Sequence, residues 1–298
     1  MTNKNNNSVV DVKSSGAVGY KGDDKLLLGI VLGVITFWLF AQTTLNVAPA
    51  MRADLGIDEN WSNIAVSITA LFSGIFIVVM GGLGDRIGRV KVALVGIVLS
   101  AIGSLLIAVS PTGTVAFLML GRIIQGLSAA CIMPSTLALL KAYYEGPARQ
   151  RAISFWSIGS WGGSGLCSLF GGAVASTIGW RWIFWMSIVI SIISFLLMRS
   201  TPESKVEQTG ERHDFDWSGL IAFMISMVSI NIVIGQGSKL GWTSNLIVAL
   251  SVVFLIAASI FFKIESSKSN AFVDFKLFNN NTYAGATLSN FLLNGAAG

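Results

Sequence analysis

No aspartate or glutamate falls inside any of the eight long apolar runs of this chain, and only 12% of its residues are charged at all. Soluble domains carry about a quarter charged residues, so that class is excluded. Cysteine is scarce: Cys131 and Cys167 both sit within apolar runs, where they read as small packing residues and exclude a disulfide framework. The one histidine, His213, stands in the charged linker stretch, where solvent is its expected surrounding, so no metal site is expected. No GxxxxGK[ST] motif occurs, and the glycine-rich run near residue 163 follows no strand, which removes a nucleotide site. With no nucleophile–base pair either, neither an enzyme nor a cofactor is expected.

What is present is apolar length. The runs cover roughly 26–48, 61–83, 90–109, 115–140, 152–176, 182–198, 218–236 and 243–262, each near the ~20 residues that cross a hydrocarbon core. A ninth begins near Tyr283 and stops at Gly298. Its helix would rise only about 24 Å, so the expectation is the N-terminal portion of a longer protein. Residues 1–25 read as a polar cytoplasmic tail with no signal peptide. The fold class expected is all-α membrane protein.

Lysine and arginine fix the orientation. Sixteen lie in the tail and alternate loops and three (Arg52, Arg181, Lys239) in the others, with Arg122 inside a run. That bias places the N-terminus in the cytoplasm and spreads the net +5 as a topology signal, which argues against nucleic acid. Residues 199–217 are charged and contain Pro202, a linker composition. The expected layout is six helices over 26–198, a linker over 199–217, two further helices over 218–262, a loop over 263–282 and the start of another bundle over 283–298.

Four features could carry function. The stretch Gly81–Lys91 packs Asp85, Arg86, Arg89 and Lys91 into a glycine-rich turn between two runs; charges that near lipid need partners. Three basic neighbours suit Asp85 to a structural ion pair over proton carriage. Arg122, with Gln125 and Gly126 on or near its face, is either a helix-positioning arginine bonded to carbonyls or a polar handle in a proton or substrate path. In the fifth run Gly159, Gly163, Cys167 and Gly171 form one small-residue stripe and Ser160, Ser164, Ser168 and Gly172 the next; this suits close packing, gating or both. Gln42 and Asn46 share a face of the first run, as a polar seam or a cavity wall. Phe37, Trp38, Phe40, Trp156 and Trp161 could line a site for flat apolar ligands, whereas Trp180, Trp182 and Trp185 fit an interfacial belt. Pro134 is expected to kink the fourth helix.

GGLGDRIGRVK, with Gly81, Leu83, Asp85, Arg86, Gly88 and Arg89 in place, resembles the loop 2–3 motif of the major facilitator superfamily. Gly84 stands for the usual alanine, and Val90 where a base is common. LMLGRIIQGLSAA resembles the family's fourth-helix motif, in which the arginine matched by Arg122 is implicated in proton coupling. The fifth run resembles the antiporter motif at Gly163, Gly171 and Gly172, but Cys167 and Ser168 replace its Gly-Pro, so a straighter helix is expected. GWRWIFW, FDWSGL and VDFKLF are similar to landmarks of the 14-span drug:proton antiporter subfamily. The resemblance implies an N-terminal six-helix bundle, two linker helices and a truncated ninth span. It also implies a bacterial plasma-membrane exporter that exchanges protons for small drug-like amphiphiles and is monomeric when complete. It further implies a latch in which Asp85 meets a helix N-terminus of the opposite half. An exporter of endogenous lipids, siderophores or metabolites, a non-transporting membrane partner and an inactive fragment are the other readings. Many relatives carry an acid where Gln42 stands; its absence implies neutral or zwitterionic substrates and a titrating acid elsewhere.

Overall fold

The computed structural model describes residues 14–15, 20–206, 217–267 and 279–297. His213, the 273–278 phrase and most of the N-terminal tail lie outside them. The described residues fall into two compact units, Met1–Gly210 and Glu211–Gly298.

In the first unit, α1 (Asp24–Ile35), a π-helical segment (Thr36–Ala41) and α2 (Gln42–Leu55) make one continuous helix. Then come α3 (Glu59–Ile87), α4 (Arg89–Ala108) and α5 (Ala116–Tyr143). A second interrupted helix joins α6 (Gly146–Ser157), a π-helical segment (Ile158–Gly162) and α7 (Gly163–Thr177), and α8 (Arg181–Met198) follows. The only strands described are β1 (Ser14–Ser15) and β2 (Lys205–Val206), paired antiparallel. The second unit holds α9 (Trp217–Leu240), α10 (Asn245–Ser267) and α11 (Asn281–Ala297).

Seven of the described helices are long and apolar enough to cross a membrane, against eight expected. The fifth run accounts for the difference: its glycines and serines between Gly159 and Gly172 dilute its apolarity. It also carries a π-helical segment, Ile158–Gly162, that the residue pattern did not announce. A π segment inserts one residue into a turn and often marks a functional region. Pro134 lies inside α5 without ending it.

Helices outlast their apolar runs, because backbone hydrogen bonding in lipid is satisfied within the helix whatever the side chains. Asp24, Glu59, Asp85 and Glu265 are therefore helical, and Glu265, beyond the run expected to end near 262, is buried. The same extension corrects the reading of Gly81–Lys91 as a turn. Gly81–Ile87 continue α3, and Gly88 alone breaks the helix, at φ 128°.

Asp23 accepts from the Leu26 amide at 2.7 Å, and Gly56 ends α2 in the left-handed region. Away from the basic end, Arg181 pairs with Asp54, donates to the Ser110 carbonyl at 2.9 Å and lies over the Trp180 ring. Trp180 itself donates to Asp54 at 3.1 Å and is buried, so it is not part of an interfacial belt; Trp182 and Trp185 are exposed. The expected belt residue is instead the wall of an ion pair joining α2 and α8.

The core of this unit comes in two clusters. Leu26, Ile30, Val34, Val90, Ile97, Ile132, Leu139 and Met198 belong to one, at the basic end. Phe40, Val47, Met51, Ile107, Leu118, Ile183 and Phe184 belong to the other. Along every helix that feeds both clusters, the buried residues between them are small or polar, among them Thr36, Ser100 and Ser104, Arg122 and Gln125, and Ser187 and Ser191, while the buried Thr43 and Thr44 lie one turn further on, inside the second cluster. A buried polar layer therefore divides the two apolar halves.

Candidate functional site

The polar layer is centred on Arg122. At 2% exposure on α5, the most deeply packed of the spans, its guanidinium must find acceptors inside the protein. Nε donates to the Ala65 carbonyl of α3 at 2.8 Å. Nη1 donates to the Ala41 carbonyl at 2.9 Å, to Thr44 Oγ1 at 3.1 Å and to Gln125 Oε1 at 2.8 Å. Ala41 closes the π-helical segment of the first span, so one planar fork ties that irregular segment to α3. Thr69 Oγ1 returns a bond to the Arg122 carbonyl at 2.9 Å. From Gln125 Nε2 the chain of bonds runs to Ser104 Oγ (3.3 Å) and on to Ser187 Oγ (3.1 Å), reaching α4 and α8. Among the described residues no carboxylate appears in this network.

Gly126, the third member of the expected group, serves the same junction by leaving room. A Cβ there would sit 2.6 Å from the Thr69 carbonyl oxygen and 2.8 Å from Phe72 Cβ. Gln42 is half-buried and is not among the partners of Arg122; Thr44 holds that place. Nothing in the sequence distinguished Thr44 from Thr43, or Ala41 and Ala65 from other alanines, since a backbone acceptor has no side-chain signature. The serines and threonines recurring at matching depth in successive runs were the available signal.

The seam between the first and fifth spans forms a second cluster. The stripe of Gly159, Gly163, Cys167 and Gly171 faces the first span: a Cβ on Gly163 would lie 3.2 Å from Trp38 Cβ, and one on Gly171 would overlap Thr43 Cγ2. Thr43 Oγ1 also donates to the Cys167 carbonyl at 3.3 Å. Asn46 joins the seam through Cys167 Sγ at 3.6 Å and accepts from Ser168 Oγ at 3.1 Å. Gly172, on the other stripe, meets nothing within 4 Å. The two π-helical segments meet here, and Trp38 of one stacks on Trp161 of the other, centroids 6.4 Å apart and planes at 19°. Trp161 is largely exposed, whereas Phe40 is buried against Phe170. Trp156 donates to Thr136 Oγ1 at 3.0 Å and so is tied to α5. Of the aromatics named from the sequence for a ligand site, Trp161 is the exposed one, and Trp38 is its stacked partner.

At the basic end, Asp85 accepts from Arg89 Nε at 2.8 Å, one turn apart across the Gly88 break. Gly81 packs toward Pro134, with its absent Cβ 3.4 Å from the ring, while Leu83 and Arg86 are exposed. The residues that hold this motif from outside it are Glu203 and Ser204, both absent from the sequence expectation, which treated 199–217 as linker. Ser204 is fully buried and accepts from the Arg89 amide at 2.8 Å. Beside them Tyr143 donates its hydroxyl to the Pro202 carbonyl at 2.5 Å and Tyr144 to the Asp23 carbonyl at 2.6 Å. Burial, reinforced by Asp23, pushes the Tyr144 phenol well above the usual tyrosine range, so it remains a donor.

A family model described as Major Facilitator Superfamily matches residues 30–271. The quinolone resistance protein NorB of Staphylococcus aureus strain MRSA252 is 53% identical over 279 residues, covering 94% of this chain and 60% of that protein. The protein of the same name from strain Newman is 54% identical over the same span. The chain thus spans about 60% of the length of the curated relatives it matches. Among solved structures, a peptide transporter POT in complex with sulfate aligns at TM-score 0.59 and 16% identity, over 83% of this chain and 52% of that one. The POT family transporter PepTSo aligns at TM-score 0.57 and 14% identity, over 85% and 56%.

Proposed function

This chain belongs to the major facilitator superfamily, and from that premise we propose that it is the N-terminal portion of a proton-driven exporter of drug-like amphiphiles. Its relatives at about 53% identity are quinolone resistance proteins, and the seven apolar helices make it a multi-pass membrane protein. The reading assigns six helices over 26–198 to one half of the transporter and the two helices that follow to an insertion between halves. Substrate sits near the midplane between halves and is released by alternating access. The complete protein acts as a monomer in the bacterial cell membrane, exchanging small amphiphiles for protons.

The geometry supports a role for each group. Arg122 carries a permanent charge into the polar layer, fixed by carbonyls of two helices and by Gln125. It cannot itself release a proton, so it acts on the charge state of a carboxylate supplied from outside its own network. The observation that carries this is the placement of its one fork between the first span and α3: displacing either helix redistributes its bonds. Trp161, stacked on Trp38, offers an aromatic face, and Asn46 with Ser168 offers a neutral polar anchor. Gln42 adds no charge, which favours neutral or zwitterionic ligands. The motif from Gly81 to Arg89 gates the cytoplasmic side through Asp85.

Inside-out vesicles containing the complete protein test this directly. An acid-interior gradient should drive uptake of a fluorescent quinolone, and a protonophore should abolish it. Uptake indifferent to the gradient would remove proton coupling from the proposal.

A further inference from the structure

The amides that open a helix have no acceptor within it, and α4 begins with no side-chain cap, because its N-cap residue is Gly88. The acceptor arrives from more than a hundred residues away. Glu203 Oε1 takes the Val90 amide at 2.8 Å and Oε2 takes the Lys91 amide at 3.1 Å. The neighbouring Ser204 carbonyl takes the Arg89 amide at 2.8 Å. One short segment leaving α8 thus satisfies three successive amides, with a carboxylate at the positive end of the α4 dipole. The segment is itself fixed: Ser204 is fully buried, Tyr143 bonds Pro202, and the Thr201 amide donates to Met198 at 3.0 Å. Gly88 completes the fit. A Cβ there would lie 2.6 Å from one Glu203 oxygen and 2.7 Å from the other, besides opposing the positive φ. The missing side chain at 88 is the space Glu203 occupies.

What this seat positions is Arg89. Its amide is held by Ser204, and its side chain turns back to Asp85, using Oδ1 and leaving the carboxylate half-exposed. We propose that Glu203 is a positioning residue of the gating motif: by capping α4 it fixes Arg89, and through Arg89 it fixes the direction in which Asp85 is presented. This rests on the gating role assigned above to Asp85.

The test uses the complete protein in proteoliposomes with Asp85→Asn, Glu203→Gln and the double variant. Glu203→Gln keeps one acceptor and the volume but loses the charge and the second amide. Turnover should fall roughly tenfold, the ordinary yield of one charge-assisted bond, with substrate affinity unchanged. Hydrogen exchange at the Val90 and Lys91 amides should accelerate by a similar factor. The double variant should be no slower than Asp85→Asn alone, because both act on one element. Gly88→Ala, which invades the seat without altering the carboxylate, should reproduce the Glu203→Gln turnover. Losses that multiply in the double variant would overturn the positioning role. So would normal turnover in Glu203→Gln alongside an impaired Asp85→Asn, with the gating role intact. If Asp85→Asn itself transports normally, the gating role falls first and this inference with it.

Discussion

Gly126→Ala should destabilise the first unit by about 1–3 kcal/mol, the usual cost of overpacking, and should stop transport in the complete protein. The added methyl would meet the Thr69 carbonyl oxygen at 2.6 Å, Phe72 Cβ at 2.8 Å and the Ser73 amide at 3.2 Å. Two of those atoms are backbone, so no rotamer change relieves the clash and α3 must move. Thr69 is also the residue whose hydroxyl bonds the Arg122 carbonyl, and Ala65, one turn earlier, accepts from the guanidinium. Displacing α3 therefore loosens the polar layer at two points. Gly172→Ala is the matched control: nothing lies within 4 Å of the new methyl, and alanine favours helix by up to about 1 kcal/mol over glycine. Thermal unfolding of the purified protein in detergent should show Gly126→Ala melting clearly below Gly172→Ala. Equal melting temperatures would mean that α3 and α5 are not held where the structure has them.

Arg122→Met should separate folding from function. A buried charge replaced by an apolar side chain of similar length often costs nothing, because its desolvation penalty disappears with it. The acceptors at Ala41 and Ala65 are helix carbonyls with their own backbone partners to fall back on, which leaves Gln125 as the main loser, at about 1 kcal/mol. Melting should accordingly shift little. Coupled transport should fall about 100-fold, corresponding to the ~2–3 kcal/mol carried by one hydrogen bond to a charged group, here lost from the carboxylate whose charge state Arg122 sets. Arg122→Lys should fail too, since a point charge cannot span acceptors on the first span and α3 as a planar fork does. Full activity in Arg122→Met would reduce this residue to a dispensable spacer.

Much of this organisation was legible in the residues. Apolar runs gave the helices, and Arg122 with Gln125 three places on announced a polar contact that the structure makes at 2.8 Å. The small stripe of the fifth run announced a close neighbour, which is the first span at Trp38 and Thr43. What stayed hidden has a common physical character. The π-helical segments differ from α-helix only in which carbonyl each amide selects, and side chains do not encode that choice visibly. The acceptors at Ala41 and Ala65 belong to the backbone. Glu203 caps a helix more than a hundred residues away, and no spacing rule connects them; Pro202 and the charge around it pointed to a linker instead. Gly81–Ile87 looked like a turn because glycine weakens helices in water, yet in lipid the backbone must bond internally and the helix persists to the single break at Gly88.

The central claim is that this protein couples an amphiphile to protons through the layer around Arg122. Its most direct measurement is proton movement driven by drug alone, in proteoliposomes with no imposed pH gradient and an internal pH dye. A quinolone gradient should drive an opposing proton flux in the complete protein and none in Arg122→Met. Drug movement without protons, or an undiminished flux in Arg122→Met, would contradict the account.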